Sequence, residues 1–343
     1  MKKIYAFVLA APQNLKLKRA LNLLGLLGLA NSQYSLVMKL VERLSPSLDR
    51  GASPIYFLGE RLPSKNEWDR GLDVLQGHSH LLNQFIHELD DFKPSEKLQV
   101  LDSPIVTVLV SLYKSDPHLE LFLQNVEAQT LFSKSEIVIE VAAASKFETM
   151  ALSKFAANHS NVSVTFHAER VGIYSCWNLA VAKSSAPFIT NMNCDDLRHP
   201  LSLEVQASKL LDEDVDVVYQ DVFYTYQAGL GWEDVVRMGL KSSLPHVTSR
   251  LLISGMNPPH NAPMWRRELH DGVGTFDENF ESAGDHDFWI RCSLAGAKFS
   301  KIDFSTVSYF INPEGMSTRD NSPGKLEGLR IMNKYKKTIN ARF

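Results

Sequence analysis

The sequence predicts an α/β chain, a mixed sheet flanked by helices, with a mostly helical extension in front of it. Two observations carry this. From Ile105 onward, short β-branched and apolar runs alternate with amphipathic stretches, the order that strand–helix–strand units require. Residues 1–100 lack that alternation and are Leu-rich instead. A third observation points to function. The strand-like Phe188-Ile189-Thr190 leads directly into Asn193-Cys194-Asp195-Asp196. In an open α/β sheet the carboxyl end of a strand is where ligands sit, although Asn and Asp are also common turn residues.

Composition sets the outer bounds. The chain has 343 residues, enough for one large α/β domain plus an extension or for two domains. A formal charge of -3 gives no global reason to expect nucleic-acid binding. The three cysteines, Cys176, Cys194 and Cys292, are odd in number and widely spaced, which argues against a disulfide framework and fits a reducing compartment. No run approaches the roughly 20 apolar residues of a membrane span. The start, MKKIYAFVLAAPQ, has a weak signal-peptide look, but Ile4–Ala10 reads equally well as a first strand, and a mature cytoplasmic chain is expected.

In the extension, Leu15–Leu44 reads as a helix weakened by Gly25 and Gly28, with Lys16, Lys18 and Arg19 making its beginning basic. Packing on its own domain is the first reading of such a helix. Peripheral contact with an anionic membrane, at the inner face, is the second. Leu72–Phe92 reads as a further helix carrying His78, His80 and His87, which solvent exposure explains. Lys93–Pro104 is polar, bracketed by prolines, and reads as a linker.

Strands are then expected at Ile105–Leu112, Glu136–Val141, Val162–Phe166, Phe188–Met192 and Val215–Tyr219. Helices are expected at Leu119–Thr130, Glu148–Ala157, Gly172–Lys183 and Pro200–Leu211. The domain boundaries that follow are 1–100 for the extension, 101–313 for the α/β domain and 314–343 for a C-terminal loop and basic helix. Oxygen ligands at the end of the Phe188 strand suit a hard divalent cation, Mn²⁺ or Mg²⁺, which in turn suits a diphosphate.

Three co-linear stretches carry a resemblance. They are Val106–Lys114 (VTVLVSLYK), Arg170–Asp196 (ending FITNMNCDD) and Asn261–Arg291 (NAPMWRRELHDGVGTFDENFESAGDHDFWIR). Together they resemble the glycosyltransferase family 2 domain of the Rossmann-like GT-A fold over about residues 104–313, and look especially like a bacterial branch of it. The resemblance implies transfer of a sugar from a nucleotide-sugar donor to a glycan, lipid-linked or protein acceptor, inverting and divalent-metal dependent.

Carried over residue by residue, Asn193-Cys194-Asp195 stands at the family's metal-binding triplet. Asp195 is then the first metal ligand, with Asn193 as a weaker partner and Asp196 helping the metal or the ribose. Asp285 stands where the family places its general base, at the start of a helix whose dipole keeps a carboxylate ionised. Asp287 is the fallback. Tyr113, Glu140, Arg170 and Asn178 are expected on the donor side, and Arg319 at the leaving group. His260, Trp265 and Trp289 are expected toward the acceptor, with core packing as the alternative for Trp289.

Two departures stand out. Asn193 replaces a carboxylate in the triplet, and Ala142-Ala143-Ala144-Ser145 lacks the acidic turn that reads the nucleobase in the family. They motivate an alternative, a catalytically inactive GT-A module that binds sugar nucleotide or glycan. A nucleotidyltransferase is a further rival, but Ser111–Asp116 contains no Gly for a phosphate loop.

Overall fold

The computed structural model describes residues 6–9, 55–58, 89–238, 240–242, 244–312, 315–316 and 322–342. The expected helix at Leu15–Leu44, the three histidines near residue 80 and Arg319 lie outside the described residues. In chain order the strands begin with β1 (Ala6–Leu9), β2 (Ile55–Leu58) and β3 (Val106–Leu112), followed by helix α1 (Leu119–Glu127). Then come β4 (Ser135–Ala142), α2 (Lys146–Asn158), β5 (Val162–His167), α3 (Ile173–Lys183) and β6 (Phe188–Asn191). The middle of the chain holds β7 (Leu197–Arg198), α4 (Ser202–Asp212), β8 (Val217–Gln220), β9 (Phe223–Thr225), α5 (Trp232–Met238) and β10 (Leu240–Ser242). The last third holds α6 (Ser249–Ile253), β11 (Met264–Arg266), α7 (Leu269–Val273), α8 (Gly284–Leu294), β12 (Phe299–Ile302), β13 (Val307–Phe310) and α9 (Pro323–Arg342).

The chain divides into two compact units. The smaller comprises 1–92, 221–245 and 308–311. In it β1 pairs antiparallel with β2, β2 parallel with β10, β10 antiparallel with β9, and β9 parallel with β13.

The larger unit comprises 93–220, 246–307 and 312–343, and is built on a seven-stranded sheet in the order β12-β8-β11-β6-β3-β4-β5. β5, β4, β3 and β6 run parallel, joined by the crossover helices α1, α2 and α3. Helices cover both faces of such a sheet, so its strands read as continuous apolar runs, and six of the seven residues of Val106–Leu112 are buried. Each helix supplies one apolar stripe: Leu119, Phe122, Leu123 and Val126 at i, i+3, i+4 and i+7 are the buried residues of α1. β11 then inserts antiparallel to both β6 and β8. The sheet therefore changes direction beside β6, the strand that delivers the candidate carboxylates.

Beneath this side lies an aromatic cluster of Tyr174, Trp177, Trp265, Phe276, Phe288 and Trp289. Its rings meet at centroid separations of 4.5 Å (Phe276–Phe288) and 5.3 Å (Trp265–Trp289). Tilted and edge-on contacts of this kind add to the burial of large side chains. The segment expected as a free linker is packed instead: Glu96–Gln99 forms a 3-10 turn, with the Ser95 N–H donating to Ser208 Oγ at 3.0 Å and Ser95 Oγ to Asp212 at 2.6 Å.

Two loops at the carboxyl edge of the sheet are locked by one carboxylate. Glu148 completes a capping box with Ser145 at the start of α2, and its Oε1 also accepts from the N–H and hydroxyl of Ser115, at 2.7 and 2.6 Å. Burial alone would raise the Glu148 pKa, but these hydrogen bonds outweigh it and hold the group below its ordinary 4.5. We predict that Glu148→Gln destabilises the protein by about 1–3 kcal/mol at neutral pH. Because the folded-state pKa is depressed, the contribution is complete above the ordinary value and is lost as pH falls through the folded one. Thermal melts of wild type and variant should therefore converge in acid.

Candidate active site

The Asn193–Asp196 turn hangs from the end of β6 and is stapled from below by Arg198. This buried guanidinium donates to Thr190 Oγ1 (2.8 Å), Asn191 O (2.5 Å), Gln206 Oε1 (2.8 Å) and Ser202 Oγ (3.2 Å). Burial pulls its pKa down to about 9, which leaves it charged at neutral pH, and the Asp196 carboxylate opposes the shift. Arg198 is itself tied to α1 through Asn125, whose amide pairs with both its N–H and its carbonyl. Within the turn, Asn193 Nδ2 donates to Asp196 Oδ2 at 2.8 Å.

Asp195 is half-buried. Desolvation raises its pKa, while its own backbone, the charge of His118 and a hydrogen bond from Asn312 act to lower it; the net shift is upward. Such a carboxylate gains from a neighbouring cation. Cys194, between Asn193 and Asp195, stays a thiol because burial and the two carboxylates push its pKa up.

Beside the turn, β3 and β4 end at a cavity of about 330 Å³ lined by Lys114, Asp116, Pro117, Ala143, Ser145 and Glu148. Its two loops each hold a non-glycine residue at positive φ, Lys114 at 54° and Ala143 at 48°. Backbone strain of this kind persists where surrounding contacts enforce it, and here Glu148 does so. Asp116 Oδ1 accepts from Ser145 Oγ across the two loops at 2.8 Å. Tyr113, 40% exposed at the end of β3, has Arg170 over its ring at 5.1 Å and Lys114 at 5.3 Å.

Asp285 lies in the first turn of α8 and is half-buried. Its Oδ1 accepts from the Tyr174 hydroxyl at 3.1 Å and its Oδ2 from Asn257 Nδ2 at 2.8 Å. Burial, then the Asp285 charge, push the Tyr174 pKa well up, so it stays a hydrogen-bond donor. Gly284 is required here, because a Cβ would come within 2.7 Å of the Tyr174 ring. Residues 257–263 run from this carboxylate toward the other: Asn257 holds Asp285, while Pro263 O accepts from Thr190 and Ala262 O from Gln206, at the base of the Asn193 turn.

Several expected site residues have other partners. Glu140 is fully buried, ion-paired with Lys183 at 2.5 Å and in hydrogen-bond contact with a His167 ring nitrogen at 2.7 Å, and it is not among the residues lining the cavity. The Asn178 amide is saturated by the Phe276 backbone and Glu278, joining α3 to the loop before α8. Trp265 and Trp289 are 0% and 1% exposed and belong to the aromatic core, so neither presents a ring to a ligand at the surface. His260 is half-buried in the 257–263 segment. Asp287 is excluded as a base by its partners, Lys334, Tyr335 and Arg291, which together hold it below the ordinary carboxylate range against the opposing effect of burial. Residues with no signal in the sequence are Tyr174, Asn257, Arg198 and Asn261. Asn261 is 2% exposed, and both its amide atoms are unpartnered.

Residues 107–276 match the family model described as Glycosyl transferase family 2. The chain carries a family 2 glycosyltransferase domain. Among curated proteins, Glycosyltransferase AglE of Haloferax volcanii is 24% identical over 199 residues, covering 56% of this chain and 62% of the relative. The uncharacterized protein y4gI of Sinorhizobium fredii is 25% identical over 197 residues, covering 56% of this chain and 20% of the relative. The chain thus spans about three fifths of the first relative and one fifth of the second.

Among solved structures, S. aureus TarS in complex with UDP-GlcNAc aligns with TM-score 0.53 and 20% identity, over 66% of this chain and 65% of that one. The mannosyltransferase PcManGT from Pyrobaculum calidifontis, in complex with GDP-Man and Mn²⁺, aligns with TM-score 0.50 and 16% identity, over 77% and 74%. These likenesses establish the GT-A fold: a mixed α/β sheet flanked by helices. The family 2 match ends before Asp285, so the α8 carboxylate and everything after it lie outside the matched residues.

We predict that Gly284→Ala forces the Tyr174 ring away from Asp285, at a cost of about 1–3 kcal/mol in stability. A lowered melting temperature, with loss of the Tyr174–Asp285 hydrogen bond in a crystal structure, would show it.

Proposed function

We propose that the chain is a glycosyltransferase moving a sugar from a nucleotide-sugar donor to a hydroxyl of a glycan, lipid-linked or protein acceptor, with inversion. The observation that carries this is Asp195, a half-buried carboxylate at the carboxyl end of β6, inside the family 2 domain. The catalytic part is assigned to residues 101–313, with 1–100 as an extension and 314–343 as a C-terminal loop and helix.

The donor nucleotide is assigned to the cavity between the β3 and β4 loops, with Tyr113 and Arg170 at its side and the diphosphate toward Asp195 and Asp196. Two carboxylates and the Asn193 amide oxygen fit a hard divalent cation of the Mn²⁺ or Mg²⁺ type, which is commonly held by few protein oxygens plus substrate phosphates. When bound, such an ion neutralises the departing diphosphate as a Lewis acid. Asp285 accepts the proton of the acceptor hydroxyl as that oxygen bonds to the anomeric carbon and the bond to the diphosphate breaks. Tyr174 and Asn257 orient the carboxylate for this.

One observation favours a second reading. Asn193 stands in place of a carboxylate and Ala142-Ala143-Ala144 in place of an acidic turn, as in a domain that binds donor or glycan without turnover. As for membrane contact, no helix among the described residues is long and apolar enough to cross a membrane. A peripheral contact at the inner membrane face is assigned to the basic start of the extension.

The test is donor turnover with UDP-, GDP-, dTDP- and CMP-sugars in Mn²⁺ or EDTA. Metal-dependent release of one nucleotide is expected, abolished in Asp195→Ala. In Asp285→Asn, transfer should fall by about 10²–10⁴-fold with nucleotide affinity unchanged. Calorimetric binding without turnover in the presence of glycan acceptors would establish the inactive module. Neither binding nor turnover would overturn both readings.

A further inference from the structure

The loop that launches α8 is held from outside the family 2 match. Glu327, on α9, is 4% exposed, and its carboxylate accepts three consecutive backbone N–H groups: Glu281 at 2.7 Å, Ser282 at 2.9 Å and Ala283 at 2.9 Å. Ala283 is the N-cap of α8 and offers no side-chain cap of its own. The anchoring role of an N-cap Ser or Asp is thus filled by a carboxylate 44 residues further on. The approach is close: a Cβ on Gly324 would stand 3.0 Å from Ser282 Oγ. A second clasp follows along α9, where Lys334 and Tyr335 bond the same oxygen of Asp287.

From this geometry we infer that Glu327 is a positioning residue for Asp285, acting through the backbone of 281–283. The inference rests on the reading of Asp285 as the general base. Asp285 lies two residues beyond the last amide that Glu327 holds, and its own side-chain partners, Tyr174 and Asn257, sit on other elements. The carboxylate can meet both only if the backbone of 281–284 is fixed. Glu327 suits the task because an ionised carboxylate is acceptor-only, with about four lone-pair sites for three N–H groups. A Gln would turn an NH₂ toward one of those donors, leaving the shape of the side chain intact while the loop loses its anchor.

The experiment compares Glu327→Gln with Ile331→Ala. The latter truncates a fully buried α9 side chain in the hydrophobic core and touches none of these hydrogen bonds. The readouts are donor turnover, nucleotide affinity by calorimetry, melting temperature and amide exchange over 281–285. In Glu327→Gln, kcat should fall roughly 10²-fold, the scale expected of a small misplacement of a reacting group, with donor KM and nucleotide Kd unchanged. Exchange over 281–285 should quicken while the sheet stays protected. Ile331→Ala should lower the melting temperature and keep kcat. Wild-type kcat in Glu327→Gln, or an equal loss of kcat in both variants, would overturn the inference. Wild-type protein inert toward every donor would instead count against the transfer reading. The exchange measurement still decides whether Glu327 holds the loop: faster exchange over 281–285 supports the inference, and unchanged exchange overturns it.

Discussion

The candidate chemistry depends on one constraint, the placement of β6 where the sheet changes direction. On one side β6 pairs parallel with β3, and on the other antiparallel with β11. A parallel neighbour ends on the same edge of the sheet as β6, and its loop then folds back through a helix. An antiparallel neighbour arrives from the opposite direction, so its incoming loop lies over the end of β6. The Asn193–Asp196 turn is therefore flanked by the β3 loop and by residues 257–263 at once. Arg198 makes this arrangement rigid, since a buried guanidinium has to find acceptors and here takes them from β6 and α4 together. Losing it would free the turn and leave several buried acceptors unpaired.

The carboxylates around these loops divide into those sealed in the interior and those left half-buried. Glu140, Glu148, Asp287 and Glu327 are all nearly or fully buried, and each meets two or more donors that join separate segments. These are structural staples. Asp195 and Asp285 are half-buried, each near the end or start of an element, and Asp285 is oriented by neutral donors and, among the described residues, paired with no cation. An ion pair would fix a carboxylate and blunt it as a base. A tyrosine and an amide fix it without neutralising it, which is the environment a proton acceptor needs.

The same division explains what the sequence discloses. The strand–helix alternation from residue 105 is legible because it rests on local patterning: β-branched runs buried on both faces, and helices with one apolar stripe. The places of Asp195, just after a strand, and of Asp285, in the first turn of a helix, are legible because a strand end and a helix start are marked in the sequence. The burial of Glu140 is not legible, because it depends on Lys183, 43 residues away, and on His167, 27 residues away. No periodicity encodes such a meeting. Trp265 and Trp289 are ambiguous for a different reason, since a large aromatic next to a loop packs in a core as readily as it meets a sugar. Lys93–Pro104 reads as a linker on composition, yet Ser95 finds partners on α4.

The long-range contacts also separate the two halves of the proposed reaction. The proposed donor side is built from elements inside the family 2 match: the β3 and β4 loops, the Asn193 turn and α1. On the acceptor side, Asp285 stands beyond that match and is held by groups from three places, Tyr174 on α3, Asn257 on the segment before β11, and, through the backbone, Glu327 on α9. In the proposed reaction the donor side rests on the parallel sheet, whereas the place of the acceptor-side carboxylate depends on α9 and the 257–263 segment. Donor chemistry demands fixed oxygen ligands around a diphosphate, whereas an acceptor hydroxyl demands only one carboxylate at the right place. A C-terminal helix clasping the start of α8 is a direct way for this fold to set that place.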